Sequence, residues 1–165
     1  MSFTLRYIKI SMIASIALFF SLVAFDNIID FQSNWLFVQH VLNMDTTFQE
    51  PALMSRAITN PIIQKSTYYF IIGWEIITAL LCWLGCVTLL AKINEDNIAF
   101  NKAKKIAFIG LFFGFLLYMV GFIVIGGEWF SMWQSSKWNG QMKTGLFISL
   151  IMFVMIFLKD ESSAE

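Results

Sequence analysis

Histidine is almost missing from this chain: His40 is the only one in 165 residues. A pair of histidine axial ligands to haem therefore cannot come from one copy, and histidine-rich metal sites are excluded with it. Proline occurs twice, at Pro51 and Pro61, and cysteine twice, at Cys82 and Cys86. Both cysteines fall inside one apolar run. A disulfide framework would need more of them, placed in polar loops, so they carry no information about redox compartment. Charge is scarce: only 13% of residues are Asp, Glu, Lys or Arg, with eleven of each sign. A soluble domain needs more charge than that to cover its surface, and the absence of a basic excess argues against a nucleic-acid partner. No phosphate-binding glycine loop, dinucleotide fingerprint or nucleophile elbow is present, so the sequence shows no cofactor signature and reads as non-enzymatic.

What the chain has in abundance is apolar surface: 58% hydrophobic residues, with 17% aromatic. About 20 apolar residues cross a hydrocarbon core as a helix. Four runs meet that requirement, at about 7–29, 66–91, 105–125 and 141–158. Asn60 and Pro61 offer a cap and first turn from which the second helix could begin earlier. Arg6 and Lys9 before the first run resemble the start of a signal peptide, but the run is too long and no cleavage site follows, so it reads as an uncleaved first helix. The expected fold is an all-α membrane protein, a four-transmembrane-helix bundle forming a single domain over residues 1–165. It has outside loops at 30–65 and 126–140 and a cytoplasmic loop at 92–104.

Orientation follows from the basic residues flanking the helices. Arg6, Lys9, Lys92, Lys102, Lys104, Lys105 and Lys159 fall on one side, and Arg56, Lys65, Lys137 and Lys143 on the other. The richer side is assigned to the cytoplasm, which puts both termini inside. The first outside loop is too long for a plain connector. Asn34 to Met44 reads as a short amphipathic helix, and Pro51 opens a second over Ala52 to Thr59, with Glu50 near its positive end. The second outside loop is aromatic, with Trp129, Phe130, Trp133 and Trp138, a composition suited to headgroup depth. Both loops are expected to lie on the bilayer against each other.

A weak 2+2 internal repeat is also visible. Ile16 to Ser21 resembles Ile109 to Gly114, and Trp35 to Gln39 resembles Trp129 to Gln134. Two helix-loop-helix halves in the same orientation would follow.

Glu75 is the sharpest candidate for chemistry. A carboxylate some seven residues into helix two lies about 10 Å along the axis, where an ionisable group is costly. It is either a cation- or ligand-handling group, or a structural partner of Lys143, Arg56 or a loop amide. Glu128, His40, Asp45 and Arg56 fall on the same outer side. A metal site built from His40 and two carboxylates matches no known spacing, so no metal is expected. Asp26 and Asn27 could be polar glue between helices. Trp35, Trp74, Trp129 and Trp133 could line a lipid or quinone pocket. Gly110, Gly114 and Gly121 share one face of helix three, and Ser11 and Ser15 repeat the small-residue spacing in helix one, a pattern for close helix packing. Cys82 and Cys86, four apart, read as small packing residues.

Several of these segments spell a pattern as well as a composition. Phe37 to Phe48, Arg56-Ala57-Ile58-Thr59, Trp74-Glu75, Gly126 to Ser135 and Trp138-Asn139-Gly140-Gln141 together resemble a bacterial family described as predicted small integral membrane proteins, a domain of unknown function. The resemblance covers nearly the whole chain. It implies a four-helix protein of the bacterial inner membrane whose distinctive residues sit in the outside loops and at Glu75, and it supplies no activity. The function expected is that of an accessory, assembly or scaffold component. Its partners would be the lipid bilayer and another membrane protein or a second copy. The alternative is a small transporter, or a lipid-, quinone- or ion-binding protein with an outward-facing site at Glu75.

Overall fold

The computed structural model describes residues 1–159. Four long helices carry it: α1 (Phe3–Ile29), α4 (Pro61–Ala91), α5 (Asn97–Leu116) and α6 (Gln141–Leu158). Two short ones, α2 (Phe31–Asn43) and α3 (Pro51–Met54), lie between α1 and α4. Beyond Leu116, α5 continues without a break as a wide π-helical segment, Leu117–Trp129. Among the described residues no strand forms. Four of these spans are long and apolar enough to cross a membrane: Phe3–Ile29, Pro61–Ala91, Asn97–Trp129 and Gln141–Leu158.

The helices are longer than the apolar runs because polar residues cap them. Ser2 Oγ accepts the Leu5 N–H at 3.3 Å, so α1 begins before the hydrophobic stretch. Asn60 Oδ1 accepts the N–H of Ile62 at 2.9 Å, with Pro61 in the first turn, and α4 gains five residues over the expected start. Asp96 Oδ1 accepts the Ala99 N–H at 2.7 Å, which makes residues 97–104 helical where a cytoplasmic loop at 92–104 was expected. Only residues 92–96 remain as the connection. The loops expected outside shrink correspondingly. Asp30 alone separates α1 from α2, residues 61–65 belong to α4, and residues 126–129 to the π segment. The second short helix is also smaller than expected. It stops at Met54, and Ile58 instead donates its N–H to Leu42 O at 2.8 Å.

Three of the long helices present a buried stripe in which spacings of three and four alternate. In α1 it runs Arg6, Ile10, Ile13, Ala17, Phe20, Ala24, Asn27. In α4 it runs Tyr68, Ile72, Glu75, Ala79, Cys82, Cys86, Leu89, and in α5 Phe100, Lys104, Ala107, Leu111, Gly114 and on to Tyr118. A 3.5-residue repeat keeps a seam facing its neighbour along the whole helix, the geometry of left-handed bundles. The helices pack α1 on α4, α4 on α5, and the α5 span on α6, and α6 returns to α1. Phe19, Phe20, Tyr118 and Phe147 close the ring, with centroids 4.8 Å apart for Phe19–Phe147 and 5.3 Å for Tyr118–Phe147.

Small residues set the closest crossing, though only some of those expected. A Cβ on Gly110 would lie 2.8 Å from the Cys82 backbone nitrogen, and one on Gly114 2.7 Å from the Phe20 ring. Gly85, facing Ala107, completes the α4–α5 contact. Gly121 does not join them: its nearest neighbour is Leu117 of its own helix, 3.8 Å away. The face shared at i and i+11 assumed an α-helix, and the wider π turns rotate Gly121 off it. Ser11 and Ser15 are also not packing residues. Both are exposed, and Ser15 Oγ donates to Ser11 O at 2.9 Å within α1. Cys82 and Cys86 are buried in the α4 seam as free thiols.

The two ends of the α1 stripe are polar. At one end, Arg6 is 6% exposed and gathers the α4–α5 connection. Its guanidinium donates to Ile93 O at 2.6 Å, Glu95 O at 2.5 Å and Asn97 Oδ1 at 2.9 Å, and it lies 4.8 Å from the Phe100 ring centroid. The planar fork matches several carbonyls at once, which an ammonium cannot do. Arg6→Lys keeps the charge and is expected to cost about 1–2 kcal/mol through the lost hydrogen bonds. Denaturant titration of the purified protein checks it, and a variant as stable as the parent would show that the connection does not depend on the fork.

The proposed repeat does not extend to the loops. Trp35 to Gln39 is α-helical in α2. Trp129 to Gln134 spans the end of the π segment, a left-handed Ser131 (φ 52°) and a short 3-10 turn, Met132–Gln134. The matching apolar strings do both lie in helices, α1 and α5.

Candidate functional site

With α4 starting at Pro61, Glu75 is the fifteenth of its 31 residues, so it sits at mid-helix and deeper than expected. It is 2% exposed. Neither Lys143 nor Arg56 reaches it. Asn27 Nδ2 donates to Glu75 Oε2 at 2.7 Å, and Tyr68 Oη lies 3.2 Å from Asn27 Oδ1 and 3.1 Å from Asn27 O. The tyrosine hydroxyl thus donates to the amide, and the amide donates to the carboxyl. Among the described residues no cation pairs with Glu75. Local sequence explains the placement: Tyr68 and Glu75 are seven apart in the α4 seam, and Asn27 ends the α1 seam that faces it. Asn27 is accordingly the polar link between helices anticipated for Asp26 and Asn27, while Asp26 is exposed.

Above this cluster the two connecting regions lock together as a lid. α2 buries Trp35, Val38 and Leu42 against Tyr68 and Ile72 of α4. Met44, in the left-handed region at φ 55°, ends α2 fully buried. Gln64 Nε2 bridges Asn43 Oδ1 and Ile58 O, both at 2.6 Å. The second loop joins through Thr46 Oγ1 to Ser135 Oγ at 2.8 Å and Phe48 N–H to Gln134 Oε1 at 2.8 Å. His40 stacks on Trp138 at 4.5 Å and 12°, and its Nδ1 is 2.7 Å from Asp45 Oδ2. Arg56 covers the Trp129 ring at 5.1 Å. The loops therefore lie against each other, as expected.

The candidate residues consequently do not form one site. Glu75 is inside the bundle. His40, Asp45 and Arg56 belong to the lid, and Glu128 is exposed. Among the described residues no three His, Cys, Asp or Glu side chains come together as a metal-binding group. The four tryptophans are dispersed as well. Trp35 packs by Tyr68, Trp74 donates Nε1–H to Phe113 O at 2.9 Å, and Trp129 and Trp133 are exposed. Tyr68 and Trp138 join these groups although neither stands out in the sequence as a site residue. The seven-residue step from Tyr68 to Glu75 could have shown the first; nothing local marks the stack of Trp138 on His40.

A cavity of about 180 Å³ does exist, but aromatic and aliphatic side chains line it. It lies between α2, α4 and the π segment, with Phe37, Val41, Phe70, Leu117, Phe122 and Met132 in its wall, and Glu75 is not part of that wall. The reason is the loss of contact between two helices. α4 and α5 touch closely at Gly85 and Gly110, Trp74 is stacked on Phe113 at 5.1 Å as a strut, and beyond it the π segment makes little contact with α4.

The family of predicted small integral membrane proteins known as DUF2165 matches residues 5–161. The chain belongs to that family. It is an integral membrane protein, and the segments that suggested the resemblance are those that the fold joins: Phe37 to Phe48, Arg56, Gly126 to Ser135 and Trp138 make the lid, and Trp74-Glu75 lies below it. No curated protein and no solved structure matches the chain.

Proposed function

We propose that this family member is a non-enzymatic component of the bacterial inner membrane, an accessory, assembly or scaffold subunit, with both termini in the cytoplasm. One observation carries the reading. The polar groups that could have done chemistry are engaged in holding the protein together: Glu75 by Asn27, and His40 by Asp45 and Trp138. Among the described residues no buried side-chain nitrogen or oxygen lacks a hydrogen bond. A reactive or transporting carboxyl would need access to water or substrate, and Glu75 is enclosed by its neighbours.

The test is purification of the tagged full-length chain in mild detergent, followed by mass spectrometry. A membrane protein retained at fixed stoichiometry is expected, and Glu75→Gln, which keeps an acceptor for Asn27, should retain it equally. Recovery of homo-oligomers alone counts against the subunit reading. A second reading, favoured by the apolar cavity, is binding of a lipid or quinone tail beneath the lid, since apolar cavities stay dry and accept hydrocarbon. Organic extraction of the same preparation decides it: a single tail-bearing species at one per chain supports this reading, and bulk lipid composition rejects it.

A further inference from the structure

The apolar cavity beneath the lid has an opening, and a cation stands beside it. Phe70 of α4 and Ile125 of the π segment line the cavity and are 61% and 45% exposed, so the space communicates with the lipid-facing side of those two spans. Trp129, about one turn beyond Ile125, is exposed as well. The Arg56 guanidinium lies over its ring and donates to its carbonyl oxygen at 3.4 Å. We propose that this corner binds one bilayer phospholipid, with a stretch of one acyl chain in the cavity and the phosphate on Arg56. The proposal rests on the reading of the cavity as a seat for a hydrocarbon tail, and adds the headgroup.

The wall decides which part of a lipid can enter. An apolar cavity of about 150 Å³ holds a molecule the size of benzene. At about 180 Å³ this one takes a short length of chain and not a whole lipid. Thr67 carries the only hydroxyl in the wall, and it already donates to Ile63 O at 2.9 Å. No side-chain donor is therefore left inside for an ester or a quinone carbonyl, and burying such a group without a hydrogen bond is costly. The polar end of the occupant stays at the mouth.

Arg56 supplies what that polar end needs. It is exposed, and among the described residues it has no ion-pair partner; Glu128, next to Trp129, is exposed and does not pair with it. Its bond to Trp129 O leaves most of the guanidinium fork open, and that fork matches phosphate oxygens in geometry and charge. An exposed tryptophan belongs at headgroup depth, which sets Arg56 at the level of lipid phosphates. Phe130, the next residue after Trp129, is already in the cavity wall. The cation and the apolar seat are therefore adjacent, as the phosphate and acyl chain of one lipid are.

Full-length protein in mild detergent is equilibrated with equal amounts of phosphatidylglycerol and the diacylglycerol bearing the same chains, and bound lipid is counted by native mass spectrometry. One lipid per chain is expected, with phosphatidylglycerol favoured by about tenfold, the size of one charge-assisted contact. Arg56→Gln should bring the two lipids near parity, and unchanged melting shows that the fold is retained. Gly121→Leu puts a side chain into the cavity, where a Cβ meets only Leu117 at 3.8 Å, and should release both lipids without lowering the melting temperature. Equal binding of the two lipids by the parent protein, or an undiminished preference in Arg56→Gln, overturns the headgroup assignment and leaves the tail reading standing. Undiminished binding of both lipids by Gly121→Leu overturns the tail reading and this proposal with it. A quinone recovered at one per chain from the parent protein keeps the tail reading and overturns the phospholipid.

Discussion

A leucine at Gly85 is expected to destabilise the protein by roughly 3 kcal/mol or more. A Cβ at this position would stand 2.6 Å from Ala107 Cα and 2.8 Å from its backbone nitrogen. Those atoms are main chain, so no rotamer change relieves the clash, and α4 and α5 must move apart. Separation would also loosen Cys82 against Gly110, because both contacts belong to the same crossing. In a lipid environment helix association rests on van der Waals contact and has little hydrophobic driving force between helices, so lost proximity is not recovered elsewhere. Gly73 in the same helix is the control. Nothing lies within 4 Å of a Cβ there, and Gly73→Ala should change stability by no more than about 0.5 kcal/mol. Detergent or SDS denaturation followed by tryptophan fluorescence measures both. Equal effects at the two positions would show that the α4–α5 crossing is not set by close backbone approach.

Asn27→Leu is expected to cost roughly 2–4 kcal/mol, because it removes the hydrogen-bond donor from a buried carboxyl and leaves an apolar group in its place. Tyr68 also loses one of its two acceptors but keeps the Asn27 backbone carbonyl. The decisive measurement is a double-mutant cycle. In a Glu75→Leu background the same substitution should cost less than about 1 kcal/mol, since no polar group is then stranded, and the double variant should be close to the parent in stability. If Asn27→Leu costs the same in both backgrounds, the amide–carboxyl link is not what holds α1 to α4 at this depth. The cycle also tests the proposed function. A structural Glu75 predicts that the well-folded double variant still retains the membrane partner proposed for it.

How far the sequence could be read depended on the range of the interactions involved. The apolar runs were legible because membrane insertion responds to summed hydropathy over about 20 residues, a local property. The true helix ends were legible in part, through Asn60 with Pro61, while Asp96 before Asn97 was a cap of the same kind that the charge-rich loop reading concealed. Glu75 stood out as a carboxyl in an apolar run. Of the alternatives for it, pairing with Lys143, Arg56 or a loop amide gave way to the Asn27 amide of α1, because opposite charge is a weak guide to pairing when register is unknown. The heptad seams would have supplied that register: Tyr68, Glu75 and Cys82 share a line, as do Arg6, Phe20 and Asn27. Gly121 shows the opposite limit. Its placement required a regular α-helix through residues 117–129, and the π turns there depend on contacts beyond the local pattern.

Composition and periodicity by themselves determined that this chain is an all-helical membrane protein with four candidate spans. They also gave the two connecting regions on the lid side an aromatic, amphipathic character, since hydrophobic burial and helix capping act over a few turns, and the family resemblance marked those regions as distinctive. Only the tertiary structure decided what those parts do to one another. It placed Asn27 rather than a cation against Glu75 and stacked Trp138 on His40. It turned Arg6 from a topological charge into the clasp of the α4–α5 connection, and it opened an apolar cavity whose wall contains neither Glu75 nor the tryptophans. Each of these joins residues from different helices or loops, and their geometry depends on how the helices cross, which no single segment encodes.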